Sequence, residues 1–555
     1  MNRRVRTTVE PSEMNAGDMK TTTDLHTELV TAARAAHAGR DWHGSYANFA
    51  RANAVAALST DDLDALSVAA WRIGEAKEAV RIAERVFAQL ARSDPNAAAR
   101  KAVELALAWL TRGDLNIAAG WMNRARRLLD GVPESPTHGY LTYLDAVVAV
   151  LGDDLDTLTR LVADLRAMSG RLDVPALTAL AMVAEAIEAV YAGRMSHAGG
   201  LLDEVMLPLM ADDVPIDWAG DIYCIVLHIC HKVADLPRMR AWVHSMERWC
   251  AAAGSDTYGG VCDVHRLQVR AATDDYQSLE NQLARASQML ESVNSWAAGE
   301  GFYQLGEVRR LRGDADGAFA AYARARASGV DPQPGEAMLR CRLGQSQAAW
   351  ADLRVALTSA DRLDRMRLLR AAVEIALARG QFEEAEQYCR ELEDGAAQFG
   401  TAGFRAWAAH ARGAVHVQAG RHAEALDSLG AALREYRTQQ SRYETAEVYE
   451  WMALAHRALG DHATADADSA TAESIYAHLG VEPATVCGRP PGGLTKREID
   501  ILRRIAADGA SNRQLAQQMF ISEKTVGRHL ANIYLKLQVS SRAAAVAWAH
   551  QHNIA

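Results

Sequence analysis

At 555 residues, with 49% hydrophobic and 23% charged residues, the chain is too long for a single hydrophobic core, and its composition is that of a globular protein outside the membrane. The formal charge of -10 is unevenly distributed, because residues 491–555 hold nine Lys or Arg against four Asp or Glu. A basic end on an acidic body suggests that only the end meets a polyanion.

The start of the chain and its cysteines indicate the compartment. Residues 1–24 are polar, contain Pro11 and Gly17 and show no helical period, so we expect a mobile tail without a signal-peptide core. The seven cysteines are scattered and odd in number, which does not fit a disulfide framework. No run approaches the roughly 18 apolar residues of a membrane helix. These observations predict a cytoplasmic protein without membrane contact.

Residues 25–480 form a succession of amphipathic helices separated by regularly spaced turns. Glycines after apolar helical stretches recur mostly at intervals of 39 to 41, and two polar turns at 233–237 and 272–275 complete twelve units. Five positions after nine of these glycines stands a small residue, which is alanine in eight cases and Thr157 in the ninth. Glycine lets a helix end in a left-handed conformation, and a small residue lets helix axes approach closely. An all-α fold of about twelve helical hairpins is therefore predicted, with glycines at 39, 74, 113, 152, 193, 313, 344, 380, 420 and 460.

These hairpins resemble tetratricopeptide repeats. Their period near 40 is longer than the roughly 34 residues of the standard unit and is more similar to the sensor repeats of large LuxR-type activators such as that of the maltose regulon. The resemblance implies an α-solenoid with an extended concave surface that binds a ligand or a protein. Neither an ATPase motif nor a receiver-like pattern of strands and helices is visible, so we expect control by binding alone. The repeat pattern is best kept in Phe302, Leu305, Gly306, Ala318, Tyr322 and Ala325.

After the repeats, residues 481–493 are rich in proline and glycine and are expected to be a linker. In residues 494–555, Thr495 with Glu498 forms a capping box that begins one helix. Ser511 with Gln514 begins a second, shorter helix in the same way.

A third helix in this region is expected to begin at Ser522 and to bury Val526, Leu530, Ile533 and Leu537. A short helix, a tight connection and a longer helix form the helix-turn-helix layout, in which the longer helix enters the major groove. The sequences LTKRE, ISEKTV and KLQVSSR are similar to the LuxR (FixJ/NarL) type of DNA-binding domain over all 62 residues.

The LuxR resemblance implies a four-helix domain, a double-stranded DNA operator, RNA polymerase as a partner and a homodimer formed through the fourth helix. Gly527 and Ala531 depart from the pattern, because many relatives carry basic or polar residues there. We therefore expect base readout to depend on Lys524 and Arg528, since a guanidinium matches the two acceptors of guanine. The implied DNA contacts are Arg513, Lys524, Thr525, Arg528, His529, Asn532 and Lys536.

Residues 215–265 keep the repeat pattern poorly and are rich in aromatic, cysteine and histidine side chains. The aromatic residues could line a ligand pocket or belong to the core. The thiols and imidazoles could form a zinc or redox site or be ordinary core residues, and their spacing matches no closed zinc module, so no metal or other cofactor is expected. The pocket candidates are Trp218, Tyr223, His228, Trp242, Trp249 and Tyr258, and the metal candidates are Cys224, His228, His231, Cys262 and His265.

Together, the patterns predict a transcription activator rather than an enzyme, because no catalytic motif or nucleophile–base pair is visible. Its solenoid would bind an effector and control dimeric DNA binding by the C-terminal domain. Two alternatives remain: a protein- or peptide-binding scaffold whose C-terminal domain mainly dimerises, and a metal or redox sensor built on the cysteines and histidines above.

Overall fold

The computed structural model describes residues 16–481, 494, 496–519, 521–537 and 539–551, and every regular element in these ranges is an α-helix. The predicted tail and linker lie largely outside them, as does Thr495 of the predicted capping box. The first nine helices are α1 (Ala16–Ala38), α2 (Trp42–Val55), α3 (Thr60–Arg72), α4 (Ala76–Ser93), α5 (Pro95–Thr111), α6 (Leu115–Leu129), α7 (Pro136–Leu151), α8 (Leu155–Leu172) and α9 (Pro175–Tyr191). Next come α10 (Met195–Glu204), α11 (Met206–Met210), α12 (Ile216–Lys232), α13 (Leu236–Ala253), α14 (Asp256–Arg270), α15 (Tyr276–Leu290), α16 (Ser295–Leu311), α17 (Ala315–Ala327), α18 (Gly335–Arg342) and α19 (Ser346–Ser359). The last ten are α20 (Arg362–Ala378), α21 (Phe382–Phe399), α22 (Ala402–Gln418), α23 (His422–Gln439), α24 (Arg442–Ala458), α25 (His462–Leu479), α26 (Lys496–Asp508), α27 (Asn512–Gln518), α28 (Glu523–Lys536) and α29 (Arg542–Gln551).

Helices α1 to α25 form twelve successive hairpins in the described part of the chain, with α11 as a short addition to the fifth. The prediction of an all-α solenoid of about twelve hairpins is therefore confirmed. The predicted tail is too long at its C-terminal end, because α1 already begins at Ala16.

The turns between hairpins follow the predicted chemistry. Eight of the ten glycines have positive φ, and the eight alanines five positions beyond their glycines are at most 2% exposed. At Gly152 the left-handed residue is instead the next one, Asp153, with a φ of 55°. The buried position moves with it, from Thr157 to Leu158, which is fully buried. In each case the buried residue stands five positions after the residue with the left-handed conformation.

Successive turns of the solenoid contact one another. Trp42 Nε1 donates a hydrogen bond to the carbonyl of Ala253 at 2.7 Å, and a guanidinium nitrogen of Arg240 donates to the carbonyl of Gln439 at 3.0 Å. Each contact joins hairpins five apart, so one superhelical turn takes about five hairpins. The predicted extended concave surface is therefore the lining of an interior that successive turns surround.

The poorly repetitive segment 215–265 lies in the middle turn. It contacts the first turn through Asp217, which accepts a 2.7 Å hydrogen bond from Arg72, and through Thr257, which donates to the carbonyl of Trp71 at 2.5 Å. Helices α13 and α23 connect the middle turn to the last one. Side chains of this segment therefore also pack against the first and last turns of the solenoid. These two additional interfaces constrain which residues can occupy the segment, which explains why the repeat pattern is weak here.

Helices α26 to α29 pack around a separate hydrophobic core. Val526, Leu530, Ile533 and Leu537 are all buried in it, as predicted. Ser511 and Gln514 form the predicted capping box, and the Ser522 hydroxyl accepts a hydrogen bond from the Thr525 amide. None of the helices in the described residues is both long and apolar enough to cross a bilayer.

Candidate functional site

The outer face of α28 is the candidate nucleic-acid interface. Lys524, Arg528 and Asn532 are exposed at intervals of four residues and therefore share one face of the helix. Arg513 on α27 is exposed as well. None of these four side chains has a hydrogen bond or ion pair within the described residues, so their donors remain available to phosphate and base edges.

The other three predicted DNA contacts already have structural roles or partial burial. Thr525 is half-buried at the N-terminus of α28, where its hydroxyl lies 2.8 Å from the Ser522 hydroxyl. His529 is also half-buried. Lys536 Nζ donates to Glu498 Oε2 at 2.7 Å, and Glu498 is only 2% exposed. A buried carboxylate needs its cation, so this geometry favours a structural role for Lys536.

Two arginines that the sequence patterns did not single out hold α27 in place, next to the connection that leads to α28. Arg497 on α26 donates to the carbonyl of Met519, just before the connection to α28, at 2.7 Å. Arg542 at the start of α29 donates to Asn512 Oδ1 on α27 at 3.0 Å. Both lie within the LuxR-like sequences, KRE and SSR, so motif position was the available signal.

The enclosed interior of the solenoid is the second candidate site. It forms a cavity of about 1280 Å³, lined mainly by the first helix of each hairpin from α5 to α24. One wall is apolar and includes Leu110, Leu144, Val147 and Ile187. The rest of the lining, mainly on helices α12 to α24, is rich in charged and aromatic side chains, so the cavity suits a ligand with both polar and apolar parts.

The charged wall contains a network around Arg370 on α20. Its guanidinium lies 2.6 Å from Glu447, 3.6 Å from Glu374 and 3.8 Å from Glu444. Burial raises the pKa of Glu374 to about 7, with Glu447 raising it further while Arg370 opposes the shift. The network joins α20 to α24 across the cavity wall.

A chain of hydrogen bonds crosses three neighbouring first helices. Cys224 Sγ lies 3.7 Å from His265 Nε2, His265 Nδ1 lies 3.1 Å from Gln268 Oε1, and Gln268 Nε2 donates to Glu300 Oε2 at 3.4 Å. Burial lowers the pKa of His265 to about 4 and raises the pKa of the Cys224 thiol. A neutral imidazole accepting from a protonated thiol is consistent with both shifts.

Of the six predicted pocket residues, only His228 lines the cavity. Trp218, Tyr223, Trp242 and Trp249 pack in or against the core, and the Tyr258 ring lies against Trp249 with ring centroids 5.2 Å apart. Trp218 stacks on Tyr140 with ring centroids 4.8 Å apart, and Tyr223 packs on Trp249 at 5.2 Å. This placement favours a packing role for the five residues Trp218, Tyr223, Trp242, Trp249 and Tyr258.

The five metal candidates are not gathered into one set. Cys224 contacts His265, whereas Cys262 lies against Cys250, whose pKa it raises together with burial. Burial also lowers the pKa of His228 and that of His231, the latter to about 4. Within the described ranges, no three Cys, His, Asp or Glu side chains are grouped so that they could hold a metal ion.

Comparisons with known proteins agree with the C-terminal geometry. Residues 493–549 match the family described as bacterial regulatory proteins, luxR family. The transcriptional regulatory protein LiaR of Bacillus subtilis is 43% identical over 65 residues, which are 12% of this chain and 30% of that protein. A nitrate/nitrite response regulator protein homolog of Haemophilus influenzae is 48% identical over 64 residues, again 12% of this chain and 30% of that protein.

Among solved structures, the Cut9–Hcn1 hetero-tetramer of the APC/C is 12% identical, with a TM-score of 0.39, and the match covers 82% of this chain and 95% of that one. The chain spans about a third of the length of the curated relatives that it matches first. The family match covers residues 493–549, which hold α26, α27, α28 and most of α29 around their own hydrophobic core. The C-terminal domain of this chain is a LuxR-type helix-turn-helix domain.

Proposed function

We propose that this chain is a DNA-binding transcription regulator, an activator acting as a dimer, in which an effector bound inside the solenoid controls DNA binding by the LuxR-type domain. The observation that carries the proposal is the exposed, unpaired basic face of α28, formed by Lys524 and Arg528. Cations that form no hydrogen bond or ion pair among the described residues of their domain are available to a polyanion.

The enclosed cavity supports the effector part of the proposal. A ligand inside it would contact first helices from several hairpins and from more than one superhelical turn. Such a ligand shifts the population towards the winding of the solenoid that binds it more tightly, in proportion to its difference in affinity for the two windings. If the two windings differ in how available the C-terminal domain is, the ligand controls DNA binding. The acidic body and the basic C-terminal end supply an electrostatic attraction that such a change could relieve.

Replacing Arg528 tests the DNA-binding part. A duplex selected by the wild-type chain from a random library serves as the operator, and binding is measured by mobility shift against an unrelated duplex. Arg528→Ala is expected to reduce discrimination between the two duplexes by roughly tenfold or more, because one base-edge contact contributes about 1–3 kcal/mol.

The matched control is Arg81→Ala, which removes an exposed arginine of the solenoid and is expected to leave discrimination unchanged. Unchanged discrimination in Arg528→Ala would contradict the assignment of this residue to base readout. If the wild-type chain bound no DNA even at low salt, the result would instead favour the scaffold alternative.

A further inference from the structure

The cavity carries an excess of negative charge. Among the described residues that line it, eleven are Asp or Glu and six are Lys or Arg. Several of the carboxylates are neutralised within the wall, as in the pairs of Glu307 with Arg310 at 2.7 Å and Glu447 with Arg370 at 2.6 Å. The excess therefore rests on the carboxylates without such a partner.

Asp221 and Glu300 are two such carboxylates. Asp221 accepts a 2.7 Å hydrogen bond from the Tyr143 hydroxyl, and Glu300 accepts its 3.4 Å bond from Gln268, but neither has a cationic side chain at ion-pair distance in the described part of the chain. Glu300 is only 7% exposed. A carboxylate removed from bulk water without a cation is destabilised unless a ligand supplies the positive charge.

Both carboxylates belong to the same part of the cavity. Asp221 lies one turn before Cys224 on α12. The contacts that run from Cys224 through His265 and Gln268 end at Glu300 on α16. Trp296 of α16 lines the same cavity and offers an aromatic surface of the kind that attracts cations, whereas the Tyr303 ring already has the Arg367 guanidinium 4.9 Å from its centre. The apolar wall of α5, α7 and α9 lines the same cavity, where it can receive a hydrocarbon or ring.

We propose that the cavity binds an organic amine, with its ammonium group paired to Asp221 and Glu300 and its apolar body against the wall of α5, α7 and α9. The inference rests on the proposed effector function and names the class of ligand. Burial raises the pKa of Asp221 to about 6 and also raises that of Glu300, although Arg367 and Lys232 oppose the shift of Glu300.

Three probes of one shape test the proposal on the full chain: tryptamine, the neutral indole-3-ethanol and the anionic indole-3-acetate. Isothermal titration calorimetry at pH 7 is expected to show binding of tryptamine, with at least about tenfold weaker binding of the other two, because a charge-assisted hydrogen bond is lost. Equal binding of all three, preference for the acetate, or no binding by any probe would overturn it.

Isosteric variants locate the interaction. Asp221→Asn and Glu300→Gln keep the shape of the wall and are each expected to weaken tryptamine binding about tenfold. The control is Asp114→Asn, an exposed carboxylate that also lines the cavity. Tryptamine binding that is unchanged in the double variant would place the amine elsewhere and overturn the proposal.

The pH dependence provides an independent arm. The charged groups facing these carboxylates are Arg367, Lys232 and Asp364, which act on Glu300, while Tyr143 faces Asp221. Asp221 takes up a proton as the pH falls through about 6, whereas an amine stays charged, so tryptamine affinity is expected to fall between pH 7 and pH 5. A tryptamine affinity that is the same at pH 7 and pH 5 would contradict the pairing with Asp221. Failure of amine binding in a preparation that still shifts DNA would overturn this inference alone.

Discussion

The C-terminal domain and the solenoid are both built of helices, but the contacts that determine their shapes span different lengths of chain. Lys536 meets Glu498 and Arg542 meets Asn512 within one short domain. The solenoid is wound by contacts such as Trp42 to Ala253, which are 211 residues apart. Local caps and stripes therefore determine the first shape, whereas distant pairs determine the second.

The difference has a consequence for function. The DNA-binding face needs only α27 and α28 to be held in place, so its geometry is independent of how the solenoid is wound. The cavity exists only because successive turns meet, so its volume depends on contacts between hairpins five apart. A ligand that alters the winding is therefore expected to act on the DNA-binding face through its availability rather than its internal geometry.

Breaking a contact between turns is expected to have the largest effect on stability. Arg72 is 1% exposed, donates to Asp217 at 2.7 Å and lies 5.1 Å from the ring centre of Tyr258. Arg72→Ala removes the cation and leaves a cavity between turns. Two of the three guanidinium nitrogens, Nε and Nη1, form no hydrogen bond, so their removal costs none. We expect the free energy of unfolding of the solenoid to fall by about 3 kcal/mol, measured by denaturant titration.

An arginine pair within one helix is the control for this variant. Arg81 contacts Glu78 on α4 at 2.5 Å, and Arg81 is 60% exposed. Arg81→Ala is expected to change the free energy of unfolding by about 0.5 kcal/mol or less, because exposed pairs contribute little. Equal effects of the two variants would show that the turns are not held together by Arg72.

A methyl group placed between turns is expected to have a smaller effect. A Cβ on Gly403 at the start of α22 would lie 2.3 Å from the carbonyl oxygen of Ala234, five hairpins earlier. Gly403→Ala is therefore expected to lower the free energy of unfolding by about 1–3 kcal/mol through overpacking, as measured by chemical denaturation.

Gly430 in α23 provides the matched substitution. The nearest atom to its Cβ would be a guanidinium nitrogen of Arg434 at 3.8 Å, so there is room for a methyl group. Gly430→Ala is expected to raise the free energy of unfolding by about 0.5–1 kcal/mol through helix propensity. If Gly403→Ala also raised the free energy of unfolding, the close contact between Gly403 and Ala234 would be contradicted.

The sequence contained the local parts of this architecture. The glycine and alanine spacing identified the hairpins, and the apolar stripe from Val526 to Leu537 identified the recognition helix. The two irregular repeats also obeyed the rule, because the left-handed residue moved to Arg40 and Asp153 and the buried position moved with it to Ser45 and Leu158. Short-range periodicity carries this information because each turn and cap is formed by residues close in sequence.

The cavity and the closure of the solenoid could not be predicted in the same way. A pair such as Arg240 and Gln439 leaves no periodic mark in the sequence. The weak repeat pattern of 215–265 reflects the contacts of the middle turn with the turns on either side. The aromatic residues of this segment mark packing contacts and not a pocket. A better signal for the cavity was the presence of the charged residues Arg367, Arg370 and Glu374 between the buried apolar residues of helix α20.

A cap in the C-terminal domain tests whether the two regions are independent, and its effect is the smallest expected. Ser511 and Gln514 form a reciprocal capping box at the start of α27. Ser511→Ala is expected to lower the free energy of unfolding of the C-terminal domain by about 1 kcal/mol, because one helix-terminal amide loses its acceptor. Ser540, which is exposed and forms no hydrogen bond within the described residues, is the matched serine, and Ser540→Ala is expected to have no effect. Hydrogen exchange read separately for α26–α29 and α1–α25 measures both regions in the same chain, and equal loss of protection in the solenoid would show that the two regions unfold together.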